Sequence, residues 1–162
     1  MKLKPVLKYV GGKSRELLEI KKYLPEFSGK YIEPFLGGGA LYFDLEPQSA
    51  IINDLNKPLM NFYTSIRDNY EEALEELRNI QAICDNNTKE ESKALYYEMR
   101  KMYNHEIESS YSDAALYYYI NRMVFNGAMR CNKKGKFNMP FGGHTSFKIH
   151  ITENHQKLLN QS

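Results

Sequence analysis

The residues of this chain best suited to chemistry on a ligand are Glu33-Pro34-Phe35-Leu36-Gly37-Gly38-Gly39 and, further on, Asn53-Asp54. A short β-type run over Tyr31 and Ile32 leads into Glu33, and the glycines follow at once. Ile51 and Ile52 then form a second short apolar run that ends in the carboxylate of Asp54. Glycine lets the backbone approach a ligand closely, and an acid at the end of the next strand takes two ribose hydroxyls. Strand, glycine turn, helix, strand and acid together read as a nucleoside-binding half-site.

Two neighbouring readings fail on single positions. Gly12-Lys13-Ser14 has the end of a phosphate loop, but that loop needs a glycine where Leu7 stands. Gly37 and Gly39 supply G-x-G, but Tyr42 occupies the third glycine position of a dinucleotide fingerprint. His105, His144, His150 and His155 are scattered without metal-ligand spacing, and are expected at the surface. Cys84 and Cys131 are too few and too far apart for a disulfide framework or a zinc site, as suits a reducing cytoplasm.

A second set of chemically able residues lies between Phe125 and Pro140. It gathers Phe125, Asn126, Arg130, Asn132, Lys133, Lys134, Lys136, Phe137 and Asn138. Lysine and arginine contact phosphates, arginine and asparagine read base edges, and an aromatic ring stacks or wedges. The alternative is a polar hairpin packed by its own aromatics. Charge is segregated in the same sense. From Ala114 to Thr152 there is no Asp or Glu, whereas the stretch from Asp68 to Glu91 is strongly acidic. Such a basic segment suits a polyanion at one face, although a solvated loop would have the same composition.

The elements that must carry these residues follow from periodicity. Helices are expected over 14–24, 40–45, 58–69, 70–83, 89–103 and 113–125, with Asn56 as a cap. Strands are expected over 30–35 and 49–54, and a hairpin turn at Asn132-Lys133-Lys134-Gly135. The last residues are weakly patterned. At 162 residues, 42% hydrophobic and a net charge of +2, the chain suits one domain with part of another. The N-terminal residues lack the apolar core of a signal peptide, and no stretch is long enough to span a membrane. Two strands do not make an independently stable sheet. More strands are therefore expected beyond Ser162 or from another chain, and the strand at 30–35 is expected to keep an unpaired apolar edge.

Taken together, these segments resemble the Dam-type adenine-N6 DNA methyltransferases. Lys8-Tyr9-Val10-Gly11-Gly12-Lys13 is similar to that family's K-W/Y-x-G-G-K motif. Glu33 through Gly39 is similar to its E-P-F-x-G-x-G loop, with Asn53-Asp54 as the acidic ribose ligand. Asn121-Arg122, Phe125-Asn126-Gly127, Arg130-Cys131-Asn132, Gly135-Lys136-Phe137-Asn138 and Pro140-Phe141-Gly142 are similar to its target-recognition signature. The likeness runs from residue 8 to residue 143.

The resemblance implies a fold and roles. The fold is α/β: an incomplete Rossmann-like S-adenosylmethionine-dependent methyltransferase sheet with an inserted helical target-recognition subdomain and a β-hairpin. Residues 1–57 would be the partial cofactor domain, 58–145 the recognition region, and 146–162 the start of the return. Tyr9 and Lys13 would line the S-adenosylmethionine pocket, with Phe35, Gly37 and Gly39 under the methionine and Asp54 on the ribose. Lys8 would lie near DNA. Phe125, Asn126, Arg130, Asn132, Lys133, Lys134, Lys136 and Pro140 would engage double-stranded DNA and help extrude an adenine, whose amino group is otherwise paired inside the duplex. A cognate restriction endonuclease and a complementary C-terminal chain are partners of the same kind.

Two departures bear on function. The family's catalytic motif, D/N-P-P-Y/F, is absent, because no two prolines of this chain are adjacent. Residues 1–162 alone are therefore expected not to methylate DNA. Gly143 stands where several members carry a basic residue that reads a base, so the target sequence stays open. A non-catalytic DNA-binding module and a decayed remnant are the alternatives to part of an enzyme. Salt-dependent DNA binding without methyl transfer distinguishes the first, and failure to bind either cofactor or DNA the second.

Overall fold

A computed structural model describes residues 2–162. The chain packs as two compact units, residues 2–68 with 151–162, and Asn69–His150.

In the first unit, β1 (Tyr31–Glu33) pairs in parallel with β2 (Ala50–Ile52), in the register Tyr31↔Ala50, Ile32↔Ile51 and Glu33↔Ile52. Helix α2 (Ala40–Leu45) connects them. Its bounds are those its sequence predicts, because Gly39 opens it and Glu46, in the left-handed region, closes it before Pro47. Both strands are three residues long, shorter than their apolar runs. Pairing nevertheless continues past β1, since Leu36 N–H donates to the Asn53 carbonyl at 2.9 Å.

Side chains alternate across a strand, so Ile32 and Ile51 share one face, where they stay 62% and 48% exposed. The opposite face meets the core. There Tyr42 and Phe43 of α2 pack with Leu59, Phe62, Tyr63 and Ile66 of α3 (Lys57–Asp68), all of them buried. Asn56 caps α3 as its sequence suggests, its Oδ1 accepting from Leu59 N–H at 3.2 Å. The sequence reading groups α3 with the helical region, but it packs in the first unit against α7 (Glu153–Leu159).

The weak pattern after residue 150 hides α7, which is seven residues long and buries Leu158 and Leu159. It also corrects one expectation. His155 is buried rather than at the surface, packing edge-on against Phe43 at 5.3 Å. Its Nδ1 accepts from Thr152 N–H and its Nε2–H donates to the Lys4 carbonyl. Burial therefore holds it neutral, with a pKa below the ordinary histidine value. Conversely, α1 covers only Leu17–Lys21. None of its residues is buried, so nothing extends it over the longer span its spacing allows.

The second unit is built on α4 (Tyr70–Asp85), α5 (Lys89–Tyr103) and α6 (Asp113–Met123). Thr88 and Glu91 form a capping box that starts α5 at the predicted residue. Helix α6 is buried nearly all round and packs against both others. Residues 124–150 then cover the helices with almost no ladder of their own, so their backbone groups need other partners. Helix side chains supply them. Tyr96 hydroxyl donates to the Met139 carbonyl at 2.9 Å, Ser92 to Thr145 at 3.1 Å, Gln81 to Phe147 at 2.8 Å, and Tyr118 to Lys148 at 2.9 Å. Asn104 bonds Phe137 twice, accepting from its N–H at 2.9 Å and donating to its carbonyl at 2.8 Å.

Among the described residues no helix is long and apolar enough to cross a membrane, and no group of His, Cys, Asp or Glu could hold a metal ion.

Candidate functional site

The glycine turn of the first unit is shaped by what glycine lacks. Gly37 and Gly39 have φ of +53° and +71°, in the left-handed region. A Cβ on Gly37 would lie 3.0 Å from Cε1 of Tyr9, and one on Gly38 would lie 2.9 Å from Tyr9 Cβ. A Cβ on Gly39 would meet the Phe43 ring at 2.8 Å. The turn thus lies directly against Tyr9, the residue the resemblance groups with it. Tyr9 is itself held in a tight turn, its carbonyl accepting from Gly12 N–H at 3.0 Å.

Asp54 is bonded to the chain on both sides of the turn. Its Oδ2 accepts from Gly37 N–H at 2.8 Å, and its Oδ1 from Asn56 N–H at 2.9 Å. One carboxylate therefore clasps the glycine turn to the end of β2 and to the start of α3. A carboxylate has about four acceptor positions, so a pair remains open to further donors. Tyr63 hydroxyl approaches the Gly37 carbonyl from α3 at 3.5 Å. Its helical spacing shows that Tyr63 is buried, but not that its hydroxyl ends at the turn.

Glu33, at the end of β1, accepts from Tyr31 hydroxyl at 2.7 Å. Burial pushes the Glu33 carboxyl above the ordinary range, and the hydrogen bonds from Tyr31 and from Tyr42 N–H draw it back. Burial beside this acid also pushes the Tyr31 phenol upward. Phe35 is 77% exposed beside the turn. Lys13 is exposed, its carbonyl accepting from Glu16 N–H at the approach to α1.

The fit of a nucleoside cofactor to this site rests on three observations. The turn has no side chains, an aromatic ring lies along it, and an acid with spare acceptor capacity stands at its rim.

The polar segment of the second unit begins in a 3₁₀ turn, Phe125–Gly127. Asn126 has a φ of +54°, and Phe125 is 51% exposed. Phe125 N–H donates to the Pro140 carbonyl at 3.1 Å, and Val124 bridges Phe141, so the two ends of the segment meet. Between them a tight hairpin turn closes on the bridge Cys131↔Phe137. Asn132 builds that turn, its Oδ1 accepting from the N–H groups of Lys134 and Lys136 at 2.9 and 3.1 Å. Its amide NH₂ is the part left for other contacts. Lys136 pairs with Glu106 at 3.0 Å. Arg130, Lys133 and Lys134 are exposed and make no ion pair among the described residues.

A parallel β-α-β unit with an acid-clasped glycine turn defines an α/β chain. Comparison with known proteins makes this specific. The family model described as D12 class N6 adenine-specific DNA methyltransferase matches residues 9–161, and the chain belongs to that family. It is 39% identical over 150 residues to the type II methyltransferase M1.LlaDCHI of Lactococcus lactis subsp. cremoris, covering 91% of this chain and 50% of that protein. It is 34% identical over 165 residues to the type II methyltransferase M.MjaIII of Methanocaldococcus jannaschii, covering 95% and 57%. It is 34% identical over 150 residues to the DNA adenine methylase of Haemophilus influenzae, covering 93% and 50%. The chain thus spans about half the length of the curated relatives it matches. Methyltransferases of this family use S-adenosylmethionine in general.

Proposed function

We propose that residues 1–162 carry the S-adenosylmethionine site and the DNA-recognition surface of an adenine-specific DNA methyltransferase, and that they transfer no methyl group alone. The observation that carries this reading is the bare glycine turn, backed by Tyr9 and clasped by Asp54. When bound, the cofactor supplies a methyl group on a positively charged sulfur. Gly37 and Gly39 would give it a surface without side chains, Tyr9 and Phe35 apolar cover, Lys13 a cation at the edge, and Asp54 acceptors for the ribose.

Recognition belongs to the unit Asn69–His150. Arg130, Lys133 and Lys134 carry unpaired charge to phosphates, and Phe125 and Asn126, on their tight turn, enter the duplex beside Pro140. Lys136 and Asn132 shape the hairpin that presents them, and Lys8 lies toward DNA in the first unit. The target is an adenine turned out of the stack, as methylation of a paired amino group requires.

No D/N-P-P-Y/F sequence occurs in residues 1–162, so the motif that would accept hydrogen bonds from the adenine amine has no counterpart among them. The unpaired edge of β1 and the exposed face of Ile32 and Ile51 are the surfaces a complementary C-terminal segment would cover. A cognate endonuclease is a further partner, as the type II names of two relatives suggest.

Equilibrium binding of the cofactor, together with transfer of labelled methyl to duplex DNA, tests the reading. Cofactor binding without transfer is expected. Transfer to adenine by residues 1–162 overturns the claim of inactivity, and no cofactor binding overturns the assignment of the glycine turn.

A further inference from the structure

Lys89, Lys93 and Tyr97 recur every four residues along α5, so they lie on one face of that helix. Across from them runs Phe141-Gly142-Gly143, and an open groove of about 520 Å³ lies between. Its far wall bears no side chain beyond Phe141, and cannot at one position. A Cβ on Gly142 would lie 2.7 Å from the Val124 carbonyl oxygen and 2.9 Å from that of Met123. Gly143 has a φ of +85°, and the atoms nearest its absent Cβ are Cε and Nζ of Lys89, at 3.9 and 4.0 Å. The end of the Lys89 side chain therefore lies within van der Waals contact of where a Cβ at 143 would be.

Both lysines are exposed, and neither makes an ion pair among the described residues. Glu90 is the acid on the groove wall, whereas Glu91 is engaged in the capping box with Thr88. Two ammonium groups outside any ion pair, over a glycine floor with Tyr97 and Phe141 at the sides, suit a sugar–phosphate chain: charge for phosphate and flat apolar surface for sugar. The groove also continues directly from the recognition turn, because Val124 bridges Phe141 and Phe125 bonds Pro140.

We propose that this groove, through Lys89 and Lys93, is a second contact for the DNA backbone, flanking the hairpin and separate from Lys133 and Lys134. The proposal rests on the DNA reading given above, and its test separates the two. Binding of the 162-residue chain to short duplexes of unrelated sequence is measured by fluorescence anisotropy over a salt series. The variants are K89A/K93A, K89R/K93R and K133A/K134A.

K89A/K93A is expected to weaken binding about tenfold on every duplex, and to lower the salt slope by about 0.9 per lysine. K89R/K93R should keep both, which shows that charge rather than folding is read. If K133A/K134A loses affinity while K89A/K93A matches the parent, the groove proposal is overturned and the DNA reading stands. Equal loss in the alanine and arginine variants also overturns it, because the charge is then not what DNA reads. If the parent binds no duplex, the DNA reading fails and takes the groove with it.

Discussion

The glycine turn and the recognition segment answer the same problem in opposite ways. Each is irregular backbone that no ladder satisfies. The glycine turn is closed by the local chain, through left-handed glycines and one acid just past the next strand, Asp54. Residues 124–150 are instead pinned from outside, at Phe137, Met139, Thr145, Phe147 and Lys148, by side chains of all three neighbouring helices. The pins stop short of the exposed hairpin tip at Lys133 and Lys134. The first region is therefore held by its own neighbours in the chain, and the second is held from outside at its base, with its tip closed by Asn132.

This contrast predicts where single changes act. The largest effect is expected at Gly39, where an alanine meets both a φ of +71° and the Phe43 ring at 2.8 Å. Left-handed strain and overpacking together make Gly39→Ala cost about 2–4 kcal/mol. Urea unfolding followed by an aromatic probe of the first unit would show it, and an unchanged midpoint would mean the turn adapts. Asn104→Ala removes both bonds to Phe137, and at about 1 kcal/mol per bond it should lower the stability of the second unit by about 2 kcal/mol. Amide exchange should then quicken around Phe137 and leave the glycine turn unchanged. Equal quickening in both regions would refute the separation.

The smallest effect has the opposite sign. Tyr119 is fully buried in α6, and its hydroxyl has no hydrogen-bond partner among the described residues. Tyr119→Phe should raise stability by up to about 1 kcal/mol, since it removes a polar group that burial penalises. A destabilised variant would reveal a partner for that hydroxyl.

Legibility in the sequence follows the same division. Tyr31, Gly37, Gly39 and Asp54 lie close along the chain, so their spacing announced the turn, and α2 and α5 start and stop where their caps and periods indicate. The clasp that Asp54 makes is not legible in the sequence, because an acid that accepts a backbone N–H looks like any other acid there. The pins on residues 137–148 were not legible either, since each joins a helix side chain to a distant carbonyl. Lys89 and Gly143 become neighbours only once α5 and the returning segment have packed. His155 looked like a surface residue because its burial comes from Phe43 and from the Lys4 carbonyl, far away in the chain.

Helix α7 has a consequence in time. It completes the core of the first unit, where Tyr42 hydroxyl reaches the Leu158 carbonyl at 2.9 Å and Ala50 N–H donates to the Gln161 carbonyl at 3.0 Å. All of Asn69–His150 lies between these partners in the chain, so their meeting closes a long loop, which is slow. On a ribosome, residues 2–68 emerge before residues 151–162, which complete their core, while the contiguous middle unit condenses between them. Synthesis order and folding order are thereby reversed: the glycine turn is made early and locked late.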